Sequence, residues 1–295
     1  MLSSCRKGGG DTVTGGEGGS MKAASFDYVA PATIAAALEA LAIGEDGRIL
    51  AGGQSLTPML NLRLAMPRLL VDIGGIAELR QVEDAPDQHV IGAMVTHAAI
   101  EDGRHGFADN GMLASIAQGV AYRAVRNRGT LCGSLAHADP AADWPSALTA
   151  LGAVVRIAGR GGRRELAVAA FLRGAYTTAL EPGEMITGVA VPKLSPEARW
   201  GYYKICRKAG EFADAIGAVV IDPPRRIARI AMGALDGAPV LLEALAAEVP
   251  EAGAAAASVR KVTEAVSAAV PDLDPIDLRL HAVAIRRALA QVVKL

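Results

Sequence analysis

From Phe26 onward, helical and strand-like hydrophobic patterns alternate along the chain. Thr33 precedes Ile34–Ile43, a run rich in Ala and Leu, and this predicts a helix with Thr33 as its N-cap. Arg48-Ile49-Leu50-Ala51 is a short apolar run that meets Gly52-Gly53, as a strand ending in a tight turn would. Ser55 or Thr57 then offers a cap and Pro58 suits a first helical turn, so the pattern predicts a helix through Leu64. Leu69–Ile73 reads as another strand, closed by Gly74-Gly75. Residues 21–75 thus read as one small α/β lobe.

A second lobe, residues 76–195, begins with a predicted strand over His89–Val95 and a helix over Leu113–Val120. A loop rich in Gly and Asp follows from 127 to 143, then a helix over Trp144–Leu151 and a strand over Ala153–Ile157. Met185–Val191 is the strand that closes this lobe. Three β-like runs fill Trp200 to Leu235, and from Val240 the chain turns Ala-rich and helical. This third unit, 196–295, reads as antiparallel strands followed by helices, which makes the whole chain α+β. Residues 1–20 are dominated by Gly, Ser and Thr. They offer little to bury and predict a disordered tail, with Met21 opening the folded part.

Composition narrows the function. Of 295 residues, 51% are hydrophobic and 21% charged, which is enough apolar surface for a core and excludes global disorder. The 30 basic and 31 acidic residues leave a net charge of -1, so no bulk charge draws the chain to nucleic acid or an acidic membrane. Aromatics at 4% argue against a stacking platform for single strands. Cys5, Cys132 and Cys206 are too far apart for a disulfide framework or a Cys-x-x-Cys metal site, so the chain supplies no thiolate set for an iron–sulfur cluster. No apolar run approaches the ~18–20 residues that span a bilayer. The opening residues lack the charged and apolar regions of a secretion signal, so a cytoplasmic location is expected.

Two loops carry the candidate chemistry. Ala51-Gly52-Gly53-Gln54-Ser55-Leu56 joins a strand to a helix, and its paired glycines let backbone approach a ligand such as a pyrophosphate. An ordinary strand-to-helix turn is the plainer alternative. In the second loop, Thr130-Leu131-Cys132-Gly133-Ser134 offers hydroxyls and another close backbone approach. Asp139 and Asp143 can accept bonds from sugar or ribityl hydroxyls, although Asp143 is equally suited to cap the next helix. No Gly-x-Gly-x-x-Gly follows a strand, so a Rossmann site is unsupported.

These motifs, with Ala138-Asp139-Pro140-Ala141-Ala142-Asp143, resemble the FAD-binding medium subunit of molybdenum hydroxylases, the carbon monoxide dehydrogenase and xanthine dehydrogenase family. Ser25-Phe26-Asp27-Tyr28, Leu70-Val71-Asp72-Ile73, Ile91-Gly92-Ala93-Met94 and the block Tyr203–Ala213 add to the resemblance, which spans residues 25–235 in order. It implies two α/β lobes of the vanillyl-alcohol-oxidase-like (PCMH-type) FAD-binding fold, then a C-terminal domain of a small antiparallel sheet plus helices. It implies non-covalent FAD, with residues 51–55 and 130–134 around the diphosphate and Asp143 on the polyol chain. By the same resemblance Phe212 lies where relatives often carry a tyrosine near the isoalloxazine, and Lys204 near the flavin's polar edge. Cys132 stands where glycine is more usual, and a positive φ there would strain it.

The implied role is electron transfer. Iron–sulfur clusters in a small subunit would receive electrons from a molybdenum cofactor in a large subunit and pass them to this FAD, which would reduce an external acceptor. The expected assembly is a dimer of heterotrimers. The alternatives are a stand-alone flavin reductase of related fold and a flavin-free scaffold subunit. His89, His97, His105, His137 and His281 show no metal spacing, and His137 beside the second loop reads as structural or solvent-facing. Arg123, Arg126 and Arg128 form either a solvated face or a patch complementary to a phosphate or a partner.

Overall fold

The computed structural model describes residues 22–44, 46–106 and 111–293, and the predicted tail lies outside them. Three short parallel strands, Asp27–Val29, Gly47–Leu50 and Leu69–Asp72, form the first sheet, with Leu69–Asp72 in the middle. Parallel neighbours need crossover connections, and the helices Ile34–Ile43 and Leu56–Asn61 provide them. Thr33 caps the first, its Oγ1 accepting from the Ala36 N–H at 3.2 Å. The second helix stops at Asn61 rather than Leu64. Arg63 turns to φ 56°, and the Leu64 N–H reaches back to the Met59 carbonyl at 2.8 Å.

The second sheet is antiparallel, in the order Val82–Asp84, Gln88–Gly92, Met185–Pro192, Val154–Gly159, Gly162–Ala167. The strand expected to reach Val95 ends at Gly92. There the Val95 N–H closes a turn on the Gly92 carbonyl (3.0 Å), and Thr96 caps a helix over His97–Glu101. The predicted loop 127–143 holds a helix of its own, Leu131–His137. Thr130 caps it, its Oγ1 accepting from the Gly133 N–H at 3.0 Å, and Ala138 ends it in the left-handed region at φ 51°.

In the third unit, Arg199–Ile205, Ala215–Asp222, Ile227–Gly233 and Val240–Leu241 make an antiparallel sheet. Every residue of Ala215–Asp222 is buried, because both faces of that strand are covered. Ala218 and Val220 join the core shared with the first two sheets, whereas Val219 and Ile221 join a separate core with the helices Glu243–Ala252, Val259–Ala269 and Pro275–Val292. Between the second and third sheets lies the helix Asp143–Leu151, buried along its whole length. Among the described residues, no helix is long and apolar enough to cross a membrane.

Candidate cofactor site

The two glycine loops, far apart in sequence, meet backbone to backbone. A Cβ on Gly52 would stand 2.1 Å from the Arg128 carbonyl oxygen and 2.9 Å from Gly129 Cα, so only glycine permits this approach. Gly53 adopts φ 74°, and a Cβ there would also press Thr57 Oγ1 at 2.9 Å. The first loop reaches the helix Leu131–His137 as well, Ala51 Cβ lying 4.0 Å from where Gly133 would carry its own Cβ. Gln54 and Ser55 are exposed and Leu56 opens the helix. Ser55 occupies the N-cap position, yet its backbone is already helical and its hydroxyl makes no capping bond.

Thr130 and Leu131 are buried, and Gly133 and Ser134 are half-buried in the first turn of the helix Leu131–His137. Cys132 has helical backbone and no positive φ, so the expected strain is absent. Its thiol is inside the core, where burial pushes its pKa up. Asp139 accepts from the Ala141 N–H at 3.0 Å, and Tyr176 Oη lies 3.4 Å from its other oxygen.

Asp143 does not cap its helix. Ala142 is the N-cap residue, and the Asp143 carboxylate turns toward the third sheet. Tyr202 Oη donates to Oδ1 at 2.7 Å, and Lys204 Nζ lies 3.0 and 3.1 Å from the two carboxylate oxygens. Lys204 also donates to the Gly119 carbonyl at 3.0 Å. Two residues apart on one strand, Tyr202 and Lys204 face the same side and so converge on one carboxylate. Burial pushes the Asp143 carboxyl up, against the pull of Lys204 and Tyr202, while burial and the Asp143 charge push the Tyr202 phenol well up. Phe212 is 64% exposed on a loop pinned by bonds from Ala121 N to Gly210 O (3.1 Å) and from Ala213 N to Ala141 O (3.2 Å). Tyr122, next in sequence to Ala121, is 71% exposed.

Arg123 and Arg126 are engaged within the chain. Arg123 pairs with Glu101 at 2.7 Å and Asp102 at 2.6 Å, and Arg126 pairs with Glu101 at 2.8 Å. These guanidiniums hold the Glu101 and Asp102 carboxyls below the usual range, Asp102 at about 2. Arg128 is exposed at the junction of the two loops. His137 is half-buried, with its ring 5.2 Å from that of Tyr176. Among the described residues no cluster of His, Cys, Asp and Glu suits a metal ion. A cleft of 380 Å³ lined by Ile34, Gln81, Arg156 and Glu165 includes none of the loop residues, and Arg156 and Glu165 there pair with each other at 3.0 Å. No sequence motif marked Tyr202 as the partner of Asp143, and His97, weighed only for metal spacing, lies buried directly beneath Gly129.

Residues 24–194 match the family described as the FAD binding domain in molybdopterin dehydrogenase. The chain belongs to the FAD-binding medium subunits of molybdenum hydroxylases. It is 39% identical over 220 residues to the nicotine 6-hydroxylase medium subunit of Paenarthrobacter nicotinovorans, covering 74% of this chain and 77% of that one. Over 198 residues it is 38% identical to the carbon monoxide dehydrogenase medium chain of Afipia carboxidovorans, covering 67% of this chain and 69% of that one. Reconstituted CO dehydrogenase from Oligotropha carboxidovorans superposes with a TM-score of 0.83 at 31% identity, over 91% of this chain and 98% of that chain.

The cradle of this medium subunit fits the family's cofactor in one concrete respect. The two loops that meet at the Gly52–Gly129 contact carry Gly52, Gly53, Gly129 and Gly133 between them, and bare backbone of this kind is what close approach to a diphosphate needs. The Asp143–Lys204 pair is testable separately. Lys204→Met would leave a buried carboxylate unpaired and is expected to lower stability by about 3–5 kcal/mol in urea unfolding of the flavin-free protein. Asp143→Asn with Lys204→Met, which keeps an acceptor for Tyr202, is expected to recover most of that loss. Equal stability of the single and double variants would contradict the pairing.

Proposed function

We propose that this medium subunit is the electron-transfer flavoprotein of a molybdenum hydroxylase complex, and that it holds FAD non-covalently between lobes of the vanillyl-alcohol-oxidase-like (PCMH-type) fold. The observation that carries this reading is the contact of the Gly52 and Gly129 backbones, where any Cβ would collide. Residues 51–55 and 130–134 are the proposed diphosphate cradle, with backbone N–H groups and the Ser55 and Ser134 hydroxyls as donors. Asp139 and Asp143 face the polyol in this reading, Lys204 the polar edge of the isoalloxazine, and Phe212 its ring. FAD, when bound, supplies chemistry that accepts single electrons and delivers pairs, while the protein supplies orientation and electrostatics. In this reading Lys204 would place a positive charge near that edge, its position fixed by Asp143 and the Gly119 carbonyl.

The partners in this proposal are a large subunit with the molybdenum cofactor and a small subunit with 2Fe-2S clusters, assembled as a dimer of heterotrimers in the cytoplasm. An external acceptor takes the electrons. In this reading the chain hydroxylates nothing alone, because the molybdenum cofactor belongs to the large subunit. A stand-alone flavin reductase would need a substrate-recognising domain and a proton donor for that substrate, and no motif of either kind supports it. Colourless purified protein would favour a flavin-free scaffold.

Acid precipitation is expected to release FAD into the supernatant, and flavin retained in the pellet would contradict non-covalent binding. Gly53→Val is expected to weaken FAD binding far more than Ser55→Ala. The valine meets both a positive φ and the Thr57 side chain, whereas the alanine removes one hydrogen bond worth about 0.5–1.5 kcal/mol. Equal affinities in fluorescence titrations would count against the cradle. In stepwise mixing of purified subunits, substrate is expected to bleach the flavin only when the iron–sulfur subunit is present. Bleaching by the molybdenum and flavin subunits alone would sink the relay.

A further inference from the structure

His97 and Trp144 lie beneath the two loops, and neither belongs to the proposed flavin set. His97 is 5% exposed, and its backbone N–H donates to the Gly129 carbonyl at 2.9 Å. The residue before it, Thr96, bridges to Thr130. The His97 ring presses against Gly129, where a Cβ would lie 2.9 Å from Cδ2 and 3.0 Å from Nε2. On the ring's other side, Trp144 Nε1 donates to Nδ1 at 3.1 Å, with the two rings stacked at 5.8 Å between centroids and 23° between planes. Accepting on Nδ1 assigns the proton of the neutral ring to Nε2. Burial, and next the Arg126 charge, hold the His97 pKa down at about 4, so the ring is neutral at pH 7.

Contact continues upward from Gly129 to Gly52, again with no room for a Cβ. Trp144, His97, Gly129 and Gly52 therefore form one column from the buried helix to the surface of the cradle. Close-packed interiors transmit displacement rather than absorb it. A ring tied at its backbone N–H and at Nδ1 has one orientation, whereas an aliphatic side chain of similar volume would fill the space without the tie.

Resting on the flavin reading above, we propose that His97 is a positioning residue for the dinucleotide: tied to the Trp144 indole, its ring is the floor that sets the Gly129 backbone and, through it, the Gly52-Gly53 loop. It touches no cofactor in this assignment. Its effect should appear in FAD affinity, separately from the stability of the flavin-free protein.

The test uses the full chain stripped of flavin. FAD affinity is measured by quenching of flavin fluorescence, and the melting temperature of the flavin-free form is measured in parallel. His97→Asn places an oxygen near the Nδ1 position, where it can accept from Trp144, and should bind FAD within about threefold of wild type. His97→Leu should weaken binding by about tenfold or more. His97→Leu with Trp144→Phe removes both polar partners, so the melting temperature should recover while the affinity stays weak. Wild-type affinity in His97→Leu, or affinity that recovers with the melting temperature in the double variant, would overturn the proposal and leave His97 a space-filling partner for the indole. An affinity in His97→Asn as weak as in His97→Leu would overturn the role given to the Nδ1 tie. If His97→Leu fails to fold, the asparagine and double variants still decide. A wild-type chain that takes up no FAD would instead overturn the flavin reading itself.

Discussion

The burial of the helix Asp143–Leu151 is the constraint on which the rest of the molecule depends. A helix buried on every side must find partners all round it, and this one finds them in the second and third sheets. Its first two residues send their polar groups to other elements, whereas Thr149 bonds back to the Pro145 carbonyl within the helix. Asp143 turns to Tyr202 and Lys204 on the third sheet, and Trp144 turns its indole N–H to His97 beneath the loops. One turn of helix thus fixes the C-terminal unit on one side and the glycine junction on the other.

The Asp143–Lys204 pair contributes geometry more than stability. Taking both charges out of water costs several kcal/mol per ion, and attraction in the interior offsets this only when the remaining bonding positions are filled. Here they are: Tyr202 supplies a second donor to the carboxylate, and the Gly119 carbonyl takes a further bond from the ammonium. The result ties the helix start, the strand Arg199–Ile205 and the end of the helix Gly111–Gly119 into one register. Apolar side chains in those places would pack with more latitude in position.

The legible parts of the structure are those whose signals are local. The helix Ile34–Ile43 follows from its composition and the Thr33 cap, and the paired strands Ala215–Asp222 and Ile227–Gly233 from their apolar runs. The loops at 51–56 and 130–134 stand out because glycine pairs and hydroxyls are rare in that arrangement. The helix Leu131–His137 was hidden because Gly, Ser and Cys are weak helix formers, and only the cap at Thr130 and the burial of Leu131, Cys132 and Leu135 hold it. Nothing in the sequence pointed to Tyr202 as the partner of Asp143, or to Trp144 as the partner of His97. Those contacts join positions 59 and 47 residues apart and exist only after three units have packed.

The candidate cofactor residues come from all three units: 51–56 from the first, 130–143 from the second, and Lys204 and Phe212 from the third. A ligand that binds only when all three are in register stabilises their packing by mass action, in proportion to RT ln(1 + [L]/Kd). Buried ties that hold the units in register without the ligand reduce the ordering cost at binding. The Asp143 cluster and the His97–Trp144 column are two such ties, rooted in consecutive residues of one helix. Packing of the glycine junction and docking of the C-terminal unit are therefore one structural problem, and the helix between the sheets solves both.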